Sequence, residues 1–150
     1  MKGFLLSILT VFVFVACGGK VEQKEQYNYI SAEETAELIR ENSSDVLIVD
    51  IQEKEAFSNE HLKGAVSTYA YPVKTDEEKA RIEALLPQAK AAKKVVVVCP
   101  RGGGGADRTY DFLLENGVKK ENIVTLTNGQ EGWPREQITD VLEKWKISIN

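Results

Sequence analysis

Histidine and cysteine are scarce in this sequence. Of its 150 residues, one is a histidine and two are cysteines, Cys17 and Cys99, so neither a zinc site nor a cofactor is expected. A basic stripe is also lacking, because 19 lysines and arginines are mixed with 23 acidic residues for a net charge of −4. Nucleic acid is therefore not expected as a partner. With 43% hydrophobic residues, the chain is long enough for one globular domain behind its N-terminal segment.

The N-terminal apolar segment is too short to be a membrane-spanning helix. It covers residues 4–15 after Lys2, whereas a helix needs roughly 20 apolar residues to cross a bilayer. A positive residue, a short apolar segment and the small Ala16 are typical of a signal peptide, which we predict over residues 1–16. Residues 14–18, Phe-Val-Ala-Cys-Gly, resemble a bacterial lipobox, in which the cysteine is lipidated. The alternative is an ordinary secretory signal with an incidental cysteine.

The lipobox interpretation predicts where in the cell the protein is located. Cys17 is predicted to carry the lipid and to become the mature N-terminus, with residues 17–27 as a polar tether and residues 28–150 as the domain. The protein is then expected in the cell envelope, anchored to a membrane and facing the periplasm. Gly18 is not the aspartate that often retains lipoproteins at the inner membrane, so the sequence favours the outer membrane.

Cys99 lies where a buried strand is predicted to give way to a glycine-rich turn and a helix. It follows Val95–Val98 and precedes Pro-Arg-Gly-Gly-Gly-Gly-Ala-Asp-Arg. Unpartnered N–H groups at a helix N-terminus stabilise an anion, and a thiolate is an anion, so Cys99 is predicted to be a reactive nucleophile. With Cys17 lipidated, it has no disulfide partner. The alternative is a cysteine that only fills the core, but four consecutive glycines contribute nothing to a core.

The loop after Cys99 is predicted to be an anion cradle. Glycines allow its N–H groups to turn towards one point, and two arginines add positive charge that could attract a dianion. An alternative for Arg108 is a solvated residue at the start of a helix. The predicted substrate-binding residues are Arg101, Gly102, Gly103, Gly104, Gly105, Ala106, Asp107 and Arg108.

Strand and helix patterns alternate along the chain. This alternation predicts an α/β fold with a five-stranded, mostly parallel sheet and helices on both faces. Ligand sites in such sheets form at the carboxyl ends of strands, where Cys99 lies. Pro87 is expected to break or bend the third helix. The predicted strands are residues 29–30, 46–50, 65–67, 95–98 and 123–126, and the predicted helices are residues 32–41, 53–59, 76–91, 107–116 and about 137–144.

Four segments, in the right order, resemble the rhodanese-like domain family. They are Tyr-Ile-Ser-Ala-Glu-Glu at residues 29–34, Val-Leu-Ile-Val-Asp-Ile at 46–51, Glu-His-Leu-Lys-Gly-Ala at 60–65 and Leu-Thr-Asn-Gly-Gln-Glu-Gly-Trp at 126–133. Cys99 falls where this family keeps its catalytic cysteine. The resemblance covers nearly the whole predicted domain.

The resemblance implies a single rhodanese-like domain with sulfurtransferase activity. In that reaction the cysteine takes a sulfane sulfur from a small anionic donor, thiosulfate or a polysulfide-like compound, becomes a persulfide, and passes the sulfur to a thiol or cyanide. The family pattern gives structural roles to Asp50, His61, Gly129 and Trp133, with His61 as a general base the alternative for that residue. A monomer is expected. The alternative function is a persulfide carrier without turnover, or a module that binds a partner.

The sequence departs from the family pattern at three places. Gln52 stands where the family has an arginine, so a structural ion pair with Asp50 is not expected. Asn128 replaces the first glycine of the closing pair, which asparagine can do because it tolerates a left-handed backbone. The loop after Cys99 is expected to be longer than usual. A phosphatase of the His-Cys-x5-Arg type is the alternative enzyme class, but Val98 stands where that motif has its histidine and Gly105 stands where it has its arginine.

Overall fold

The structure is a computed structural model and describes residues 27–144. The predicted signal peptide and Cys17 lie outside the described residues. Within residues 27–144, no helix combines the length and apolar character needed to cross a bilayer.

A central sheet of five parallel strands runs through the domain. The apolar β5 (Lys94–Val98) is its middle strand, with β6 (Ile123–Leu126) on one side and β2 (Val46–Asp50) on the other. Strands covered on both faces read as continuous apolar runs, which explains the four valines of β5. The strands are β1 (Tyr29–Ile30), β2 (Val46–Asp50), β4 (Ala65–Ser67), β5 (Lys94–Val98) and β6 (Ile123–Leu126), and an antiparallel pair joins β3 (His61–Leu62) to β7 (Leu142–Glu143).

Helices lie on both faces of the sheet, as predicted. Val95 and Val97 of β5 pack in one core with the third, fourth and fifth helices, whereas Val96 and Val98 pack in a second core with the first helix and the C-terminal segment. Cys99 belongs to the first of these cores. The helices are α1 (Ala32–Glu41), α2 (Lys54–Asn59), α3 (Asp76–Glu83), α4 (Leu86–Ala91) and α5 (Gly104–Glu115), with a 3-10 turn at Lys120–Asn122.

The helix after Cys99 begins at Gly104 and not, as predicted, at Asp107. Glycine is a poor helix former, so propensity argued against a helical turn there. Tertiary packing overrides propensity, because Gly105 and Ala106 are buried against the core. Only residues 100–103 therefore connect Cys99 to α5, and the expected long loop is short.

The break expected at Pro87 is confirmed. The helix predicted over residues 76–91 is divided into α3 and α4, with Pro87 in the first turn of α4, where a missing N–H costs nothing. Another helix prediction was wrong. The helix predicted over residues 137–144 does not form, and turns lead instead into β7. Ile138 and Val141 of this segment are buried, but the Val141 carbonyl accepts the Lys63 N–H at 2.9 Å, a partner far away in the sequence.

Candidate active site

Cys99 follows the last residue of the central strand, at the carboxyl end of the sheet. Its side chain is buried, with 2% of the residue exposed. Strand β5 ends directly before Cys99, and α5 begins a few residues after it, at Gly104. The thiol is thus placed between the strand end and a helix N-terminus, as the sequence predicted.

Gly102 supplies a hydrogen bond to the thiol. Its backbone is left-handed, with φ of +69°, and its N–H donates to the Cys99 Sγ over 2.9 Å. A Cβ on Gly102 would lie 2.9 Å from the Asn128 nitrogen, so a side chain is excluded by space as well as by conformation. The structure therefore places this one glycine of the expected cradle directly against the sulfur.

The first turn of α5 forms the floor of a small cavity beside the thiol. Gly104 and Gly105 are the first two residues of that turn, and N–H groups at these two positions have no acceptor within a helix. Ala106 and Asp107 do not join the cradle, because both donate their N–H to the Gly103 carbonyl, at 2.8 and 3.1 Å. The cavity has a volume of about 110 Å³ and is lined by Tyr71, Cys99, Arg101, Gly103, Gly104 and Gly105.

The two arginines of the loop have different partners. Arg101 lines the cavity, donates to the Tyr71 hydroxyl over 3.3 Å, and has a side chain that is 68% exposed. Its guanidinium also lies 3.6 Å from the Glu131 carboxylate. Arg108 does not line the cavity, because its Nε and one terminal nitrogen both donate to the Pro72 carbonyl, at 2.9 and 2.7 Å. Of the two arginines, Arg101 is the one that lines the cavity, and Arg108 holds a neighbouring segment.

The turn after β6 is hydrogen-bonded to the backbone of the loop that contains Cys99. The Gln130 N–H donates to the Cys99 carbonyl and the Glu131 N–H donates to the Pro100 carbonyl, both over 2.8 Å. Gly129 has φ of +63°, and a Cβ there would overlap the Cys99 carbonyl oxygen. Asn128 adopts the left-handed conformation, with φ of +61°. The two loops are packed backbone to backbone.

Asp50 is fully buried at the end of β2, and within residues 27–144 no lysine or arginine forms a salt bridge with it. Its two carboxylate oxygens accept the backbone N–H and the side-chain amide of Gln52, at 2.8 and 2.9 Å. Burial in a low-dielectric environment raises the pKa of Asp50 to about 6, although the Gln52 bonds oppose the shift. Gln52 therefore occupies the place of the missing arginine with a neutral amide.

His61 and Trp133 lie away from the thiol. The His61 ring stacks on Phe57 with centroids 3.9 Å apart, and its nitrogens contact the Phe57 carbonyl and the Glu143 carboxylate at 2.8 and 3.1 Å. It lines a separate groove of about 730 Å³ to which Cys99 does not contribute. The buried Trp133 donates its Nε1–H to the Ile138 carbonyl over 2.8 Å. Neither side chain contacts the small cavity.

Tyr71 is the site residue that the sequence analysis missed. It lies between β4 and α3, in a segment without regular structure, and reaches the cavity from a distant part of the chain. The pair Tyr-Pro is its only local signal, and it marks a turn without indicating a site. Among the described residues, no cluster of histidine, cysteine or acidic side chains is arranged to hold a metal ion.

Comparison with known proteins agrees with this architecture. A family model described as Rhodanese-like domain matches residues 31–136. The fold resembles that of a protein from Bacillus halodurans, with 18% identity, a TM-score of 0.61 and coverage of 79% of this chain and 77% of that one. No curated protein matches the sequence significantly.

Two further solved structures carry functional descriptions of their own. An As-Sb reductase from Leishmania major has 15% identity and a TM-score of 0.60, over 78% of this chain and 85% of that one. A yeast protein tyrosine phosphatase of the rhodanese family has 16% identity and a TM-score of 0.60, over 80% of this chain and 97% of that one. At such identities the likeness is one of fold.

Proposed function

Because this chain belongs to the rhodanese-like domain family, we propose that it is a sulfurtransferase whose Cys99 carries the transferred sulfur as a persulfide. The observation that carries the proposal is the Gly102 N–H, donated to Sγ over 2.9 Å beside a cavity at the N-terminus of α5. That arrangement favours negative charge on the sulfur. It also offers an anionic donor a place to bind next to the nucleophile.

The chemistry proposed for thiosulfate is a displacement at sulfur. The Cys99 thiolate attacks the outer sulfur, a bond forms between Sγ and that sulfur, and the sulfur–sulfur bond of thiosulfate breaks. The electron pair of the broken bond leaves with sulfite. A thiolate or cyanide then attacks the terminal sulfur of the persulfide and restores the Cys99 thiolate. Negative charge is present on the cysteine side before and after each transfer, so the same N–H groups stabilise both states.

The positions of the arginines favour sulfur transfer over phosphate ester hydrolysis. The sixth residue after Cys99, where a phosphatase of the His-Cys-x5-Arg type carries its arginine, is the buried Gly105. Arg108 is bonded to the Pro72 carbonyl and does not line the cavity. The arginine of that phosphatase type is therefore absent from its position, and Arg101 is the arginine that lines the cavity.

Mass spectrometry tests the proposal directly. After incubation with thiosulfate, we expect the Cys99 peptide to gain about 32 Da, the mass of one sulfur atom, as a persulfide. The Cys99→Ser variant is the control and should show no gain. A parent protein that stays at its original mass with thiosulfate, polysulfide and organic persulfide alike would overturn the proposal.

Kinetics then separate an enzyme from a carrier. A turnover enzyme should release thiocyanate from thiosulfate and cyanide continuously. A carrier loaded with polysulfide should release one equivalent of thiocyanate per Cys99 to cyanide and should not be reloaded by thiosulfate, which would support the persulfide chemistry and exclude multiple turnover with thiosulfate.

We also propose that the protein works in the bacterial cell envelope, held to a membrane by lipid on Cys17. The support is the lipobox-like segment over residues 14–18, which lies outside the described residues. In the oxidising envelope a free thiol is exposed to oxidation. The burial of Cys99 limits that access.

A further inference from the structure

We propose that Tyr71 determines which sulfur donors reach Cys99, restricting them to small inorganic anions, an inference that rests on the sulfurtransferase function proposed above. Tyr71 lines the cavity together with Cys99 and Arg101. It comes from the segment between β4 and α3, so its presence beside the thiol is a product of the tertiary fold. Three observations support the assignment.

The ring of Tyr71 limits the size of the cavity. A Cβ built on Gly105 would lie 3.0 Å from two carbons of this ring, so the ring packs against the first turn of α5. The cavity that remains has a volume of about 110 Å³ and is partly open to solvent. Thiosulfate has only two sulfur and three oxygen atoms and can be enclosed beside the thiol. The larger part of a peptide-like persulfide or an aryl phosphate would have to stay outside, against the Tyr71 ring.

The hydroxyl of Tyr71 is placed to donate a hydrogen bond. The Arg101 guanidinium donates to the Tyr71 oxygen over 3.3 Å, and a guanidinium can only donate. The phenol accepts that bond, which leaves its own proton for a second acceptor. An oxygen of an anion bound over Cys99 would be that acceptor. Arg101 and Tyr71 together then present positive charge and a donor to the same ligand.

The segment that carries Tyr71 is held firmly. The Tyr71 N–H donates to the Ile51 carbonyl, and Arg81 donates to the Tyr69 carbonyl, both over 2.8 Å. Arg108 donates twice to the Pro72 carbonyl. Tyr69 and Val73 have φ of +52° and +62°, a conformation that costs energy and persists only where the surroundings hold it in place. Arg108 is thus a positioning residue that acts through the Tyr71 segment.

Anion binding without chemistry provides the first test. Sulfite, the product of the thiosulfate reaction, should slow alkylation of Cys99 by iodoacetamide in the parent protein. In Tyr71→Phe, which keeps the ring and removes the hydroxyl, we expect the apparent Kd for sulfite to rise about tenfold, the effect of one hydrogen bond to a charged group. Tyr69→Phe is the matched control, since Tyr69 lines the separate groove with His61, and its Kd should stay unchanged.

Donor selectivity provides the second test. Tyr71→Ala removes the wall, so kcat/KM for glutathione persulfide should rise at least tenfold relative to that for thiosulfate. Alkylation by a bulky maleimide should accelerate in this variant more than alkylation by iodoacetamide. Tyr71→Phe keeps the wall and should keep the parent's preference between the two reagents, which serves as the internal comparison should Tyr71→Ala fold poorly.

The outcomes separate this inference from the proposed function. Equal sulfite protection in Tyr71→Phe and the parent, or no protection in the parent, would overturn the role of Tyr71. Protection that depends on Tyr71 without persulfide formation from any donor would overturn the sulfurtransferase proposal and support Tyr71 as an anion ligand. Persulfide formation with unchanged donor selectivity in Tyr71→Ala would support the sulfurtransferase function and contradict the claim that the Tyr71 ring restricts the donors.

Discussion

Gly102 and Gly103 are neighbours in the loop after Cys99, but their backbones have different requirements. Gly102 has φ of +69° and no room for a Cβ, whereas Gly103 has φ of −107° and nothing within 4 Å of a Cβ. The run of four glycines in the sequence hides this difference. The N–H that reaches the Cys99 sulfur depends on the first of them.

We therefore expect Gly102→Ala and Gly103→Ala to have clearly different effects on the reactivity of Cys99. A forced left-handed alanine costs on the order of 1 kcal/mol or more, and the contact with Asn128 adds to it, so Gly102→Ala should move the N–H away from Sγ. The rate of iodoacetamide alkylation across pH and the rate of persulfide formation should both fall about tenfold or more. Gly103→Ala should lower both rates much less than Gly102→Ala does, because its added methyl meets no atom within 4 Å. Equal rates in the two variants would contradict the role given to Gly102.

Asp50 makes the stability of the domain depend on pH. Its pKa is raised from 3.8 to about 6 by burial, so between these values the folded chain keeps a proton that the unfolded chain has released. The free energy of unfolding therefore falls as the pH rises from 3.8 to about 6, and the ionisation of Asp50 changes it no further above that range. A shift of about two units corresponds to roughly 3 kcal/mol.

Asp50→Asn should remove that dependence. Asparagine keeps the size, and the Gln52 amide can turn to pair with it. In urea unfolding, the free energy of unfolding of Asp50→Asn relative to the parent should rise by roughly 3 kcal/mol between about pH 4 and pH 7. Ser67→Ala, at the residue paired with Asp50 in β4, removes no titratable group and is the control, so it should keep the slope of the parent. A slope in Asp50→Asn identical to the parent's would show that Asp50 titrates normally.

Two loops, one after β5 and one after β6, act as a unit. The turn after β6 gives two N–H donors to the carbonyls of Cys99 and Pro100, both over 2.8 Å. The backbones approach so closely that Gly129 leaves no space for a methyl group. The conformation at the thiol is therefore set in part by a strand that carries no predicted catalytic residue.

Gly129→Ala should damage both stability and activity. The added methyl would meet the Cys99 carbonyl, so we expect a loss of about 2 kcal/mol or more in the free energy of unfolding together with slower alkylation of Cys99. Asn128→Gly, at the adjacent left-handed position, relieves strain and should change stability by no more than about 1 kcal/mol. Thermal unfolding and alkylation of both variants measure this. A tolerated Gly129→Ala would mean that the two loops can separate.

The whole molecule joins this domain to the predicted lipid anchor. Cys17→Ser should shift the protein from the membrane fraction to the soluble fraction or leave an uncleaved precursor. Cys99→Ser is the matched control, because it removes the other cysteine and should leave the fractionation unchanged. Detergent partitioning and intact mass measure the outcome. A Cys17→Ser protein with the mass and partitioning of the parent would refute lipidation at this position.

Much of the architecture follows from the sequence alone. Runs of valine and isoleucine at β2 and β5 are recognisable because strands covered on both faces must be apolar throughout. Their alternation with helical patterns determines a parallel sheet, and a parallel sheet determines that residues following its strands share one edge. Cys99 could be assigned to that edge for this reason. These inferences depend on local patterns and general rules of connection.

Tertiary structure decided which groups surround the thiol. Arg108 binds the Pro72 carbonyl, 36 residues away in the sequence, and Tyr71 meets Arg101 across 30 residues. The early start of α5 and the non-helical backbone of residues 137–144 likewise depend on packing that outweighs local propensity. Local patterns report periodicity and turn chemistry, but a hydrogen-bond partner is chosen by proximity in space. The sequence by itself therefore determined the sheet and the position of Cys99 at its edge, and the packing of distant segments determined the cavity beside the thiol.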